Sequence, residues 1–250
     1  VTKEEKWWSA PSTNNICHYT TAEALMSILN EERLRLGPFR HSNDPYEFES
    51  WIPSAIMGDG PRDNADMTLS RLITMHSRIN RVAFATDDNE GPPSYVGHDV
   101  GHRGFGSLPM WAHYGDRFRG ACLVFDKQKL VQSVLEELQA SSDAIYHRAV
   151  FYCEDVPYVP SIGINDDVAA YIRAHEGDLL FRKRKQWSYE REFRIVTVSR
   201  SECPQSVQYG DALRGVITGA RGLLNHWRLA EVYGIRAQGQ MLSNGLQTIY

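Results

Sequence analysis

Glu190 and Glu192 stand two residues apart in Trp187-Ser188-Tyr189-Glu190-Arg191-Glu192-Phe193-Arg194-Ile195-Val196-Thr197-Val198, at the mouth of an apolar, β-branched run. If the strand already runs there, both carboxylates share one face, with Tyr189, Arg191 and Phe193 on the other. Two like charges so close split their proton affinities, which suits one of them to general-base work. The plainer account is the solvated face of an antiparallel strand, where Glu and Arg are commonplace. Just upstream, Arg182-Lys183-Arg184-Lys185 is the only dense basic run. It fits either a solvated helix end or a patch that meets an anion.

The elements that must position these groups read as follows. Ile16 to Tyr19 is strand-like, and Thr20 or Thr21 caps a helix whose Ala24, Leu25, Ile28 and Leu29 recur at helical spacing. His18 therefore falls at a strand-to-helix junction. Residues 34–37 form a second short strand, 66–79 an amphipathic helix and 81–86 a buried strand. Residues 87–106, rich in Gly, Pro, Asp and His, make a long loop of the kind that often carries function. A short helix over 108–114 follows, then a strand over 121–125 and a helix from 126 to about 139. Strands at 148–153, 189–198 and 215–219, and helices at 166–175 and 222–233, complete the pattern. Without strict strand-helix alternation, the expected class is α+β with mixed or mainly antiparallel sheets, in one domain over 1–250.

Composition narrows the function classes. The chain is 42% apolar and 23% charged, as a globular protein is, and no window approaches 18 uncharged apolar residues. With no basic-then-apolar start, the expectation is a cytoplasmic protein that does not enter the membrane. A net charge of −4 argues against a general nucleic-acid coat. Cys17, Cys122, Cys153 and Cys203 are scattered, so neither a zinc knot nor a disulfide framework is expected. His98, His102 and His113 could ligate a metal, but the glycines around His98 and His102 disfavour a helix that would align them, and the expected metal set is none. There is no P-loop, and no glycine fingerprint opens a Rossmann unit.

Taken in order, five segments resemble the DUF2971 family: His18-Tyr19-Thr20, Asn43-Asp44-Pro45-Tyr46-Glu47, Met110-Trp111-Ala112-His113-Tyr114-Gly115 with Gly120 and Phe125, Lys185 to Arg194, and Val216-Ile217-Thr218-Gly219. Three of them also distantly resemble the catalytic segments of ADP-ribosyltransferases. These are a strand ending in His with Ser or Thr two residues on, a strand then a short helix with Ser and Tyr, and a strand opened by Glu. Here they are His18 with Thr20, the Phe84-Ala85 strand with Ser107 to Tyr114, and Glu192 with Glu190 in an E-x-E form.

The second resemblance implies an ADP-ribosyltransferase-like fold that takes NAD as substrate. The reaction passes through an oxocarbenium-like ribosyl cation, as in glycoside hydrolysis. It assigns Glu192 to stabilise that cation and Glu190 to orient or deprotonate the acceptor. His18 would donate to the adenosine ribose, with Thr20 fixing the imidazole or touching the same ribose. The backbone of Tyr19 would hold the nicotinamide carboxamide, Tyr114 would stack on the ring, and Arg40 or a member of the 182–185 run would neutralise the diphosphate. The implied partners are NAD, a protein or nucleic-acid acceptor, and a neutralising protein if the chain is a toxin, effector or phage-defence enzyme. Two other classes compete: a nucleotide- or partner-binding module without turnover, and a defence nuclease using the basic run and His113.

Overall fold

Thr21 opens the first helix, its side chain accepting from the Ala24 amide at 3.2 Å, and Glu32 closes it in a left-handed conformation (φ 51°). Between them α1 (Ala22–Glu31) buries Leu25, Ile28 and Leu29 on one face. Asp126 caps a second amphipathic helix in the same way, at 3.1 Å from the Lys129 amide. The computed structural model describes residues 12–44, 46–49, 62–88, 102–155, 166–221 and 247–249. His98 and the helix expected over 222–233 lie outside them.

The strands are β1 (Asn15–Thr20), β2 (Arg33–Pro38), β3 (Ile79–Thr86), β4 (Ala121–Asp126), β5 (Ser142–Ala149), β6 (Phe151–Cys153), β7 (Arg182–Arg184), β8 (Glu192–Ser199), β9 (Gln205–Gln208), β10 (Leu213–Thr218) and β11 (Gln247–Ile249). The other helices are α2 (Tyr46–Glu49), α3 (Arg62–Ser77), α4 (Leu108–His113), α5 (Lys127–Leu138), α6 (Val168–Ala174) and α7 (Glu176–Leu180). Among the described residues nine strands form one sheet with every pairing antiparallel, while β6 and β7 pair in parallel apart from it. The class is thus α+β with a mainly antiparallel open sheet, as the sequence led us to expect.

The sheet divides along β3. One edge of β3 pairs with β8 from Ile79 to Ala85. The other is shared, since β1 takes Thr86 and Ala85 while β2 takes Arg81 and Asn80. No strand among the described residues pairs with that edge over Val82, Ala83 and Phe84. The gap is a split in the sheet.

Side-chain alternation explains what surrounds the split. Val82 and Phe84 of β3, Phe193 and Ile195 of β8, and Leu123 and Phe125 of β4 join a core covered by α1 and α5. On the opposite face the apolar residues form two separate clusters. Ile79, Val196 and Val198 belong to one with α6 and α7, and Cys17, Tyr19, Ala85, Trp111 and Cys122 to the other. Between them along β3 and β8 come Arg81, Ala83, Glu192 and Arg194. The polar seam is therefore set by β3, which turns from apolar to charged and back, and by β8, which opens charged and then turns apolar.

Several boundaries differ from expectation. The basic run is not a helix end: Arg182–Arg184 is β7, laid beside β6. The strand expected at 148–153 is two elements, β5 and β6, and β5 starts at Ser142. β8 begins at Glu192, after a 3-10 turn over Lys185–Glu190 and a left-handed Arg191 (φ 43°). No helix among the described residues is long and apolar enough to cross a membrane.

Candidate functional site

Arg191 decides how the two glutamates meet. Its positive φ breaks the extended backbone between them, so Glu190 ends a turn and Glu192 opens a strand. The shared-face argument from strand alternation thus does not apply. The kink is held by Thr86, whose amide donates to the Arg191 carbonyl at 2.9 Å, and by the Arg191 guanidinium, which donates to the carbonyls of Asp88 (2.9 Å) and His102 (2.7 Å).

What joins the carboxylates is Lys183. Its ammonium lies 2.6 Å from Glu190 Oε2 and 3.0 Å from Glu192 Oε2. Arg194 holds Glu192 in a fork, Nε at 2.6 Å from Oε1 and Nη2 at 2.9 Å from Oε2, and also bonds Glu47 and the Leu180 carbonyl. Arg81 completes the set, 3.4 Å from Glu47 and 3.5 Å from Glu192. Three cations thus face three carboxylates, and five of the six side chains are almost wholly inaccessible, with Arg194 at 0% exposure, Glu190 at 3% and Glu192 at 4%. Burial alone would raise the Glu192 pKa, but Arg194, Lys183 and Arg81 outweigh it and hold the carboxyl well below its usual range. Glu192 is therefore ionised at neutral pH.

Tyr114, at the C-terminal end of α4, donates to Glu190 Oε1 at 2.5 Å, and Asn43 bonds both Tyr114 and Glu190. Burial and the Glu190 charge push the phenol far above its ordinary value, so it stays a neutral donor. These groups line a cleft of about 220 Å³ that opens at the split in the sheet and includes His18, Tyr19, Ala83, Arg81, Lys183 and both glutamates.

His18 Nδ1 lies 3.0 Å from the Ala83 carbonyl, in the stretch of β3 that no strand pairs. A carbonyl only accepts, so the proton sits on Nδ1, and burial lowers the ring's pKa. The neutral ring then offers Nε2 as an acceptor.

The remaining expected residues are placed unevenly. Tyr19 lines the cleft, while its hydroxyl donates to the Gly104 carbonyl at 2.7 Å and its ring meets Trp111 edge-on. Thr20 is buried against β4 and is not among the cleft residues. Arg40 is exposed in the turn Phe39–His41, outside the cleft, and its charge acts on His76 instead. Of the basic run, only Lys183 reaches the cleft. Arg182 pairs with Asp178, Lys185 with Glu154, and Arg184 lies over the Tyr46 ring. His102 and His113 join no cluster of metal-ligating side chains among the described residues.

Sequence reasoning did not single out Arg81, Arg194, Glu47 or Asn43. Glu47 and Asn43 do lie in the Asn43–Glu47 segment used for the family resemblance. Arg194 likewise ends the Lys185 to Arg194 segment of that resemblance, whereas Arg81 carries no local signal, since a lone Arg in a strand reads as a surface residue.

Fold and site together define an α+β protein whose split antiparallel sheet encloses a cleft built on a neutral, buried network of six charges. Residues 110–195 match the family described as "Protein of unknown function (DUF2971)", and the resemblance to that family holds over those residues. The match takes in Tyr114, Lys183, Glu190, Glu192 and Arg194, and leaves His18, Glu47 and Arg81 outside it. No curated protein and no solved structure matches the chain.

Proposed function

We propose that the cleft binds NAD and cleaves its nicotinamide glycosidic bond, as an ADP-ribosyltransferase or NAD glycohydrolase. The observation that carries the reading is the meeting, at one split in a sheet, of His18, Tyr114, Glu190 and Glu192, which lie far apart in the chain. In this reading an adenosine ribose hydroxyl donates to His18, and the Tyr114 ring lies against the nicotinamide. Glu192, ionised and held rigid by Arg194, faces the ribosyl cation as a preorganised charge. Removing one such group costs about 3–4 kcal/mol of barrier, or roughly 100- to 1000-fold in rate. Glu190, bonded to Tyr114 and Lys183, receives the acceptor. Arg35, Arg81 and Lys183, rather than Arg40, are the cations that line the cleft and would meet the diphosphate.

One observation favours a second reading, a nucleotide-binding module without turnover. Both oxygens of Glu192 are already bonded to cations, so its charge is neutralised before any ligand arrives. Nicotinamide release from NAD by the purified protein and by Glu192→Gln, with circular dichroism to show that the variant folds, separates the two. Release that is lost in the variant supports the enzyme. Tight NAD binding with no release, even when cell lysate supplies acceptors, supports the module. Neither binding nor release overturns both.

A further inference from the structure

Behind one wall of the cleft lies a second cavity of about 370 Å³, lined by Asp44, Tyr46, His113, Arg184, Trp187 and Tyr189 with Gln186. The wall is made of neighbouring residue pairs. Asn43, Tyr114, Lys183 and Glu190 line the cleft, and the adjacent Asp44, His113, Arg184 and Tyr189 line the cavity. Asp44 is 1% exposed; Oδ1 accepts from the Tyr46 amide at 3.0 Å, while Oδ2 is buried with no hydrogen-bond partner. Nε of Arg184 is likewise buried without a partner. Buried polar atoms are normally satisfied, so an unpaired donor and an unpaired acceptor on two residues that line one cavity call for a ligand that supplies both.

We propose that this cavity is a binding subsite for a nucleobase, which gives its edge to Asp44 and Arg184 and its face to the rings of Trp187 and Tyr189. A base edge carries adjacent N–H donors and N or O acceptors, matching the open Oδ2 and Nε. Its faces stack on aromatic side chains whatever the sequence. A guanidinium, the other flat group that stacks on such rings, has donors only. It would leave Nε unmatched and meet the charge of Arg184. The E-x-E form leans toward arginine as acceptor, and the cavity favours a base.

If the NAD reading holds, the subsite seats a base-bearing ligand across the wall from the NAD cleft, and that extension alone rests on the NAD reading.

The test uses no NAD, so the subsite stands or falls separately from the enzyme reading. Nucleoside 5′-monophosphates, the matching tetradeoxynucleotides and agmatine are titrated calorimetrically into the full chain and into Asp44→Asn, Trp187→Leu and His18→Ala. Base binding that weakens at least tenfold in Asp44→Asn and Trp187→Leu, and persists in His18→Ala, supports the subsite. In that case tighter binding of tetranucleotides assigns the base to a nucleic-acid strand, and equal binding assigns it to a free nucleotide. Three results overturn the proposal: agmatine binding tighter than every base, base binding lost in His18→Ala but kept in Asp44→Asn, or no binding of any probe at millimolar concentration.

Discussion

Replacing Arg194 with Met removes one cation from the buried network while leaving an unbranched side chain in its place. Glu192 then loses the fork at 2.6 and 2.9 Å, Glu47 loses the nearer of its two cations, and the Leu180 carbonyl loses a 2.7 Å donor. The network passes from neutral to a net charge of −1 where Arg194 is 0% exposed. Breaking a buried pair on one side costs about 3–5 kcal/mol. For a chain of this length that lowers Tm by roughly 6–20 °C. The cost depends on pH. In the native protein the Glu192 pKa is depressed below its unfolded value of 4.5, so its contribution is fully present above pH 4.5 and is lost as pH falls through the folded value. Arg194→Met removes most of that depression, so its deficit is greatest above pH 4.5 and shrinks in acid. Urea unfolding followed by circular dichroism at pH 7 and pH 3.5 measures both, with unchanged m values as the check on two-state behaviour. A deficit under about 1 kcal/mol at pH 7, the scale of a solvent-exposed pair, would refute the buried-network reasoning.

Three further outcomes follow from the same geometry. Tyr114→Phe keeps the ring and removes the hydroxyl that bonds Glu190 and Asn43. Loss of a hydrogen bond to a charged group costs about 1.5–3 kcal/mol, and the site model places that loss in kcat more than in KM for NAD, as steady-state nicotinamide release would report. His76 is pushed down to about 4 by burial and by the charge of Arg40. Its stabilising contribution is complete above the unfolded value of 6.5 and declines between pH 6.5 and 4 by up to about 3 kcal/mol, a limb that His76→Phe should flatten in pH-dependent unfolding. Arg191→Val sets a β-branched residue at φ 43° and deletes the bonds to Asp88 and His102. A loss of stability of about 2–4 kcal/mol is expected by urea unfolding, larger than for Arg191→Gly, which needs no strained backbone.

The legible parts of the sequence were those set by neighbours in the chain. Thr21, Leu25, Ile28 and Leu29 announce α1 because cap and periodicity are local, and Ala121 to Phe125 announces β4 because it is uniformly apolar. β5 was mostly missed, since Ser142 to Ala149 shows no clean alternation and its pairing with β8 shifts register between Ser142 and Ala144. β7 was missed for the opposite reason. Three adjacent cations left a solvated helix end and an anion-meeting patch both open and gave no sign of a strand, yet the strand buries Lys183 because Glu190 and Glu192 meet it there. The E-x-E pair stood out from residue types alone, but its geometry did not. Nothing in Glu190-Arg191-Glu192 reveals that Arg191 turns left-handed, because the contacts that hold it come from Thr86, Asp88 and His102, about a hundred residues away.

Stability alone does not account for the network. Buried ion clusters are often matched or bettered by apolar residues of similar volume, which would have joined the two hydrophobic clusters on this face into one. Instead the odd-numbered residues of β3 run Ile79, Arg81, Ala83, Ala85, apolar at both ends, with a charge and a small side chain between. The small side chain leaves room for the cleft, and the strand split there leaves the Ala83 carbonyl for His18. The carboxylate that opens β8 is fixed in charge by Arg194 and in position by Lys183. A fold that interrupts its own core at one place, fixes the charge there and opens a cleft onto it departs from local rules in the manner of a site built to meet a ligand.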